Sequence, residues 1–389
     1  RADLFQVAVD DHVLLLLMHH IVSDGWSMGV IYRELSVLYA HYCEKTSMLS
    51  VLPELAVQYA DYAIWQREWL AGSEFPQQLS YWRKQLSGMP PLLSLAADYP
   101  RPATQSYAGA WLNLELPKIL SEELSVLAAK QGCSTFMLLL AAFKVLLARY
   151  AGSEDIVVGT PVAGRPRTEL EAQVGFFLNT LVLRSDLSGN PCFSDFLQSL
   201  RQTALEAFEF QEVPFEKLVE ELQPERNSAY PPLVQVMFNL HNEPHSRVSL
   251  PGLSANAFSL ASGTAKFDLN VSVHERDSGM LIGMEYSTDL FTATTINGLL
   301  AAYAELLTAV VADPLQRLTQ LPLPGGVQAL VELPEISESA PVLAMHLAAI
   351  VMQQGDAIAC DDGELALSYR QLGGCATELA DALVDYADP

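Results

Sequence analysis

Residues 13–18 form an unbroken apolar run that stops at two adjacent histidines, and an amphipathic segment follows within a few residues. The run predicts a buried strand whose polar exit falls at His19. Past Asp24, the residues Met28, Ile31, Leu35, Leu38 and Tyr42 recur at gaps of three and four. That spacing gives one apolar face on a helix beginning just after Asp24. His19 and His20 therefore fall on a strand-to-helix loop braced on both sides, a place where chemical groups are commonly displayed.

The rest of the chain alternates helical and strand patterns without a repeat. Ser121 starts a helix that ends near Gly132, with Glu122 and Glu123 in its first turn as the helix dipole favours. Thr135 is the expected cap of the next helix, apolar from Phe136 to Tyr150. Residues 156–162 predict a strand, 164–173 a polar loop, and 174–183 a second strand. Ser194 and Pro214 open two more helices. Phe267, Leu269, Val271 and Val273 alternate with Lys266, Asp268, Asn270 and Ser272, the pattern of a half-buried strand. A long helix over 294–312 closes the unit at Asp313-Pro314. Mixed order of this kind predicts an α/β sandwich. Prolines at 314, 322, 324, 334 and 341, with Gly325 and Gly326, then mark a linker, and 345–389 stand apart as a last segment.

Composition narrows the partners. The chain has 389 residues, half of them hydrophobic, enough for more than one core. A net charge of -24 argues against polyanions such as nucleic acid or an anionic membrane surface. The apolar stretch from Phe136 is broken by Lys144 and that from Leu299 by Glu305, short of a membrane span. Five cysteines, at 43, 133, 192, 360 and 375, are widely spaced and odd in number, which reads as reduced thiols. With no apolar leader at the start, cytoplasmic residence is the expectation.

On an extended segment neighbouring side chains point to opposite faces, so His19 and His20 cannot easily serve one atom together. His20 is the candidate base, since a neutral imidazole is available near pH 7, and His19 is assigned to scaffold. Asp24 sits where a carboxylate caps the first amides of a helix. Gly25 removes a side chain where the backbone turns sharply or a substrate passes close. A zinc site is disfavoured: the other histidines, at 12, 41, 241, 245, 274 and 346, are scattered, and no CxxC or HExxH occurs. From these residues alone, a satisfied histidine pair beside a capped helix remains an equal reading.

A resemblance reaches beyond the motif. Met18-His19-His20-Ile21-Val22-Ser23-Asp24-Gly25-Trp26-Ser27-Met28-Gly29-Val30 resembles the HHxxxDG signature of condensation domains in non-ribosomal peptide synthetases, within the chloramphenicol-acetyltransferase-like superfamily. Other blocks follow in the family's order: Tyr59 to Leu70, the Tyr81-Trp82 pair, Ile156 to Arg165, Val174 to Arg184, Gln211 to Glu216, and Ala265 to Leu269. The detail is most similar to the subtype that joins two L-configured residues. The resemblance implies a two-lobed sandwich over 1–325, with the first lobe incomplete because family members carry a segment ahead of this start. It also implies a linker over 326–344 and, in 345–389, the opening of an adenylation domain. Phe210 stands where the family usually has His or Asn, and Tyr230 and Pro231 where it favours Arg and Asn.

The chemistry so implied is amide formation between a donor acyl or peptidyl thioester and an acceptor aminoacyl thioester. Both arrive on phosphopantetheine arms of upstream and downstream carrier domains, and the domain binds no cofactor or metal of its own. The implied catalytic set is His19, His20, Asp24 and Gly25, with Arg165 the expected ion-pair partner of Asp24. Trp26, Ser27 and Asn179 are candidates to line the substrate tunnel. Three other readings stand: an epimerisation domain, an acyl-CoA-dependent acyltransferase, and a non-catalytic domain that docks carrier proteins.

Overall fold

The computed structural model describes residues 1–44, 52–224, 227–241, 248–256 and 263–322, with 358–361, 366–368 and 370–371 beyond them. The chain divides into two compact units, Arg1–Leu330 and Val331–Pro389.

The first unit opens on a two-stranded antiparallel ribbon, β1 (Ala2–Ala8) and β2 (Asp11–Leu16). Here the structure departs from expectation. The apolar run pairs only with β1, so Leu14, Leu15 and Leu17 are 46%, 38% and 62% exposed rather than buried. After a short turn comes α1 (Gly25–Glu44), whose predicted apolar face is half-buried up to Leu38. Helices α2 (Tyr59–Ala71) and α3 (Glu74–Leu86) follow, and α3 buries Leu79, Trp82 and Leu86.

A six-stranded mixed sheet forms the centre of the unit. It comprises β3 (Gly109–Pro117), β4 (Asp155–Val162), β5 (Asn179–Asp186), β6 (Val236–His241), β7 (Leu269–Arg276) and β8 (Gly279–Ser287), in the order β3-β8-β7-β6-β4-β5. The two inner pairings, β7 with β6 and β6 with β4, are parallel and the rest antiparallel. Helices α4 (Lys118–Lys130), α5 (Thr135–Ala151), α6 (Phe193–Glu209), α7 (Phe215–Leu222) and α8 (Ala293–Ala312) pack on the sheet and on one another. This is the layered α/β arrangement that the patterning predicts.

Local chemistry explains the boundaries. α5 is capped by Ser134, whose hydroxyl accepts from the Met137 amide, one residue before the Thr135 expected to do so. Gly152 ends it in the left-handed conformation that glycine takes without a Cβ penalty. α8 is long and apolar enough to cross a membrane, yet it buries Ile296, Leu299, Tyr303, Leu306 and Val310 against the core. Its Tyr303 hydroxyl donates to the Leu139 carbonyl of α5, which is the behaviour of a core helix.

In the second unit β9 (Ile358–Asp361) pairs antiparallel with β10 (Ala366–Ser368). The linker expected over 326–344 lies outside the described residues. Cys43, Cys133 and Cys192 are free thiols.

Candidate active site

The site is built where the short turn after β2 meets the loops flanking β4 and β5. Residues His20–Val22 form one 3-10 turn, with His19 as its cap: the His19 Nδ1 accepts from the Ile21 amide at 3.1 Å. His19 thus spends its imidazole on backbone, as scaffold. His20 is turned the other way and is exposed. Its Nδ1 lies 2.7 Å from the Ser23 carbonyl oxygen, and its ring meets Phe176 edge-on at 5.3 Å. A carbonyl can only accept, so the proton of the neutral ring sits on Nδ1 and the Nε2 lone pair is left free.

Asp24 points inward and is 4% exposed. Its Oδ1 accepts from the Ser27 amide at 2.8 Å, capping α1, and from the Ser27 hydroxyl at 2.7 Å. Oδ2 accepts from the Phe177 amide at 3.0 Å. Arg165 reaches Oδ1 at 3.1 Å, with both side chains 1% exposed. Burial alone would raise the carboxyl pKa; the Ser27 and Phe177 hydrogen bonds and the Arg165 charge outweigh it and hold Asp24 below the ordinary aspartate value.

Arg165 is itself locked. One terminal nitrogen donates to the carbonyls of Leu170 and Gln173, and the other to Asp24 and, at 3.0 Å, to Ser27 Oγ. Its guanidinium lies 4.0 Å from the centre of the Phe177 ring. The Ser27 hydroxyl also bridges the backbone of Gly175, accepting from its N–H at 3.1 Å. Gly175 and Gly164 have no room for a side chain: a Cβ would overlap the Tyr59 ring at the first and the Phe177 carbonyl at the second.

The structure brings Asp24 and Arg165 together and places His20 beside the pair without contact to it. The group that orients His20 is the Ser23 carbonyl, not a carboxylate. Ser27 is corrected: fully buried in the Asp24 network, it lines no passage. Trp26 donates its indole N–H to the Glu171 carbonyl at 2.8 Å and packs against the loop after β4. Gly25 opens α1 in an exposed position and has no left-handed φ. Asn179 serves the backbone of a neighbouring loop and faces a cavity. Its amide donates to the carbonyls of Gln211 and Val213, and it lines a cavity of about 260 Å³.

The predicted strand over 174–183 is also corrected. β5 begins only at Asn179, because the backbone from Gly175 to Phe177 is spent on Ser27, Asp24 and Tyr59. Patterning gave no role to Phe176, Phe177 or Tyr59.

Comparison with known proteins places this geometry. The condensation-domain family model matches residues 1–329. A linear gramicidin synthase polypeptide of Brevibacillus parabrevis is 42% identical over 388 residues, 98% of this chain and 8% of that polypeptide. The chain spans less than a tenth of the length of the curated relatives it matches. The X-domain from teicoplanin biosynthesis superposes with a TM-score of 0.76 at 28% identity, over 83% of this chain and 74% of that one. A four-domain nonribosomal peptide synthetase, solved in its holo form with AMP and glycine, gives 0.75 at 22% identity, over 100% and 30%. At that identity the likeness speaks to the fold.

Proposed function

This chain belongs to the condensation-domain family, and from that membership and the geometry at His20 we propose that it forms an amide bond between two carrier-bound thioesters. Its chloramphenicol-acetyltransferase-like fold supplies a frame, and the observation that carries the proposal is the 2.7 Å contact from His20 Nδ1 to the Ser23 carbonyl. That contact leaves Nε2 unprotonated and outward-facing.

A thioester is already activated, so no covalent enzyme intermediate is required. The acceptor amine attacks the donor carbonyl, a C–N bond forms, and the nitrogen becomes cationic. His20 Nε2 takes the proton it sheds. The tetrahedral carbon then collapses, the C–S bond breaks, and the departing thiolate takes the proton from His20, which returns to its neutral form. A positioned base of this kind contributes roughly 10²–10⁴ in rate, and holding two tethered reactants at attack distance supplies much of the remainder. Asp24 takes no part in proton transfer, because both its oxygens are occupied by donors. It fixes the start of α1, and so the turn that aims His20.

The substrates are a donor acyl or peptidyl group and an acceptor aminoacyl group, each on a phosphopantetheine arm, and the partners are the carrier domains on either side. The second unit is read as the start of an adenylation module. The match to the gramicidin synthase supports this, since it covers 98% of the chain whereas the family model ends at residue 329.

The test supplies donor- and acceptor-loaded carrier proteins to the chain within its parent polypeptide and follows the dipeptidyl thioester by mass spectrometry. His20→Ala is expected to lose at least about a hundred-fold in rate; equal yields from variant and wild type would remove His20 from the chemistry. A second reading has support from the X-domain, a 28% identical relative that was also solved in complex with the protein OxyB. No product from either form, together with binding of a carrier or tailoring enzyme, would favour a docking role.

A further inference from the structure

Tyr62, Trp65, Gln66 and Trp69 lie at i, i+3, i+4 and i+7 on α2, so they share one helix face. Trp69 packs against the core, and the rest of the face does not belong to it. The face walls the cavity of about 260 Å³ that Asn179 also lines, together with Phe176, Phe177, Glu212 on the loop leading into α7 and Glu216 in the first turn of α7. The volume is the share of roughly eight or nine liquid waters, enough for a small aliphatic group.

The rings are disposed around the space rather than collapsed into it. Tyr62 lies 4.7 Å from Phe177 and 5.8 Å from Trp65, and Trp65 stacks on Trp69 at 6.4 Å. Two faces of this cluster already carry cations of the chain itself: Arg165 over Phe177 at 4.0 Å and Arg167 over Trp65 at 5.6 Å. Neither Glu212 nor Glu216 has an ion-pair partner among the described residues. Glu212 meets only the Gln78 amide, at a long 3.5 Å. The loop bearing Glu212 is held in place: Asn179 donates to Gln211 and Val213 at 2.8 Å and accepts from the Phe215 amide at 2.9 Å. Burial, then the neighbouring Tyr59 and Glu212, push the Tyr62 hydroxyl up to about 12.

An apolar cavity alone would not explain the half-buried Glu212 carboxylate at its edge without an ion pair among the described residues, and an acidic rim alone would not explain aromatic faces behind it. Together they are the two halves of a cation receptor: π-faces that attract positive charge once water is excluded, and counter-charges that offset its desolvation. We infer that this cavity binds an ammonium or guanidinium group carried on a slender aliphatic chain, seated on Tyr62, Trp65 and Trp69 and paired by Glu212 and Glu216. The inference stands apart from any catalytic role for His20, and its test measures binding alone.

The probe is n-butylammonium, with n-butanol as its neutral counterpart, titrated against the whole chain by ligand-observed NMR. Butylammonium is expected to bind at least about five-fold more tightly than butanol, and Glu212→Gln and Trp65→Leu are each expected to erase that preference. Glu212→Gln is isosteric and keeps the Gln78 contact, so it reports even if the tryptophan variant fails to fold. Trp111→Leu, remote on β3, is expected to leave binding unchanged. A preference below five-fold, or one that survives Glu212→Gln, overturns the inference.

Discussion

Breaking the Asp24–Arg165 pair from either side should unfold the site at a cost that the structure lets one calculate. Both side chains are 1% exposed, so removing one partner strands the other's charge away from water. Such disruptions cost about 3–5 kcal/mol. The two substitutions differ within that range. Arg165→Ala leaves a carboxylate still receiving the Ser27 amide, the Ser27 hydroxyl and the Phe177 amide, and falls near about 3 kcal/mol. Asp24→Asn keeps the shape but sets an amide NH₂ against the Phe177 N–H and leaves a buried guanidinium uncompensated, near about 5 kcal/mol. At roughly 2.1 cal/mol/K per residue, the unit Arg1–Leu330 unfolds with about 0.7 kcal/mol/K, so the melting temperature falls by about 4–7 °C. The double variant strands no charge and should cost about 2 kcal/mol less than the sum of the singles. Thermal melts and urea titrations on the four proteins give this cycle. The Asp24 pKa is lowered by folding, so its stabilisation is present above about pH 3.8 and is lost as pH falls through the lower folded value. The gap between wild type and Asp24→Asn should therefore close in acid. A coupling under about 0.5 kcal/mol, or a double variant as stable and active as wild type, refutes the reasoning.

Three further outcomes follow from the same coordinates. Lys144 is fully buried, its ammonium nitrogen within 2.8 Å of the Leu183 carbonyl and the Ser185 hydroxyl, and burial pulls its pKa down to about 7. Between pH 7 and about 10.5 the unfolded chain holds a proton that the folded one lacks, so stability should rise by up to about 1.4 kcal/mol per pH unit; urea midpoints across that range should be flatter in Lys144→Met. Gly164→Ala forces a Cβ onto the Phe177 carbonyl at a φ of +62°, and should cost about 3 kcal/mol or more, a loss under about 1 kcal/mol contradicting the packing. Asn179→Ala removes the amide that ties β5 to the Gln211–Phe215 loop and should cost about 2–4 kcal/mol, with faster proteolytic cleavage in that loop as the second readout.

The elements with a strong period were legible before any coordinates: α1, α5, α8 and β4 lie within about two residues of their predicted bounds. Where the reading failed, the backbone was serving something other than its neighbours in sequence. Val174–Leu178 carries the apolar composition of a strand, yet its peptide groups bind Ser27, Asp24 and Tyr59, residues more than a hundred positions away. No local pattern encodes that. The burial of β2 was misjudged for a related reason: composition reports what a strand can bury, while burial depends on which layer lies over it. Spacing alone gave His20 and Asp24 as candidates but could not pair Asp24 with Arg165; that partner came from the resemblance to a family.

The motif's two ionisable ends separate physically because the turn between them is a single 3-10 turn. His19 fixes its first amide and the Ser23 N–H closes on the His20 carbonyl, so the chain reverses within four residues. One consequence is that His20 faces outward while Asp24, four positions on, faces the buried Arg165. A second is that the Ser23 carbonyl, which follows the turn, falls against His20 Nδ1. The residue just ahead of the α1 cap therefore chooses the tautomer of the base. Lengthening that turn by one residue would rotate the Ser23 carbonyl away from Nδ1, remove the acceptor that keeps the ring proton there, and so let the other tautomer compete without touching Asp24 or Arg165.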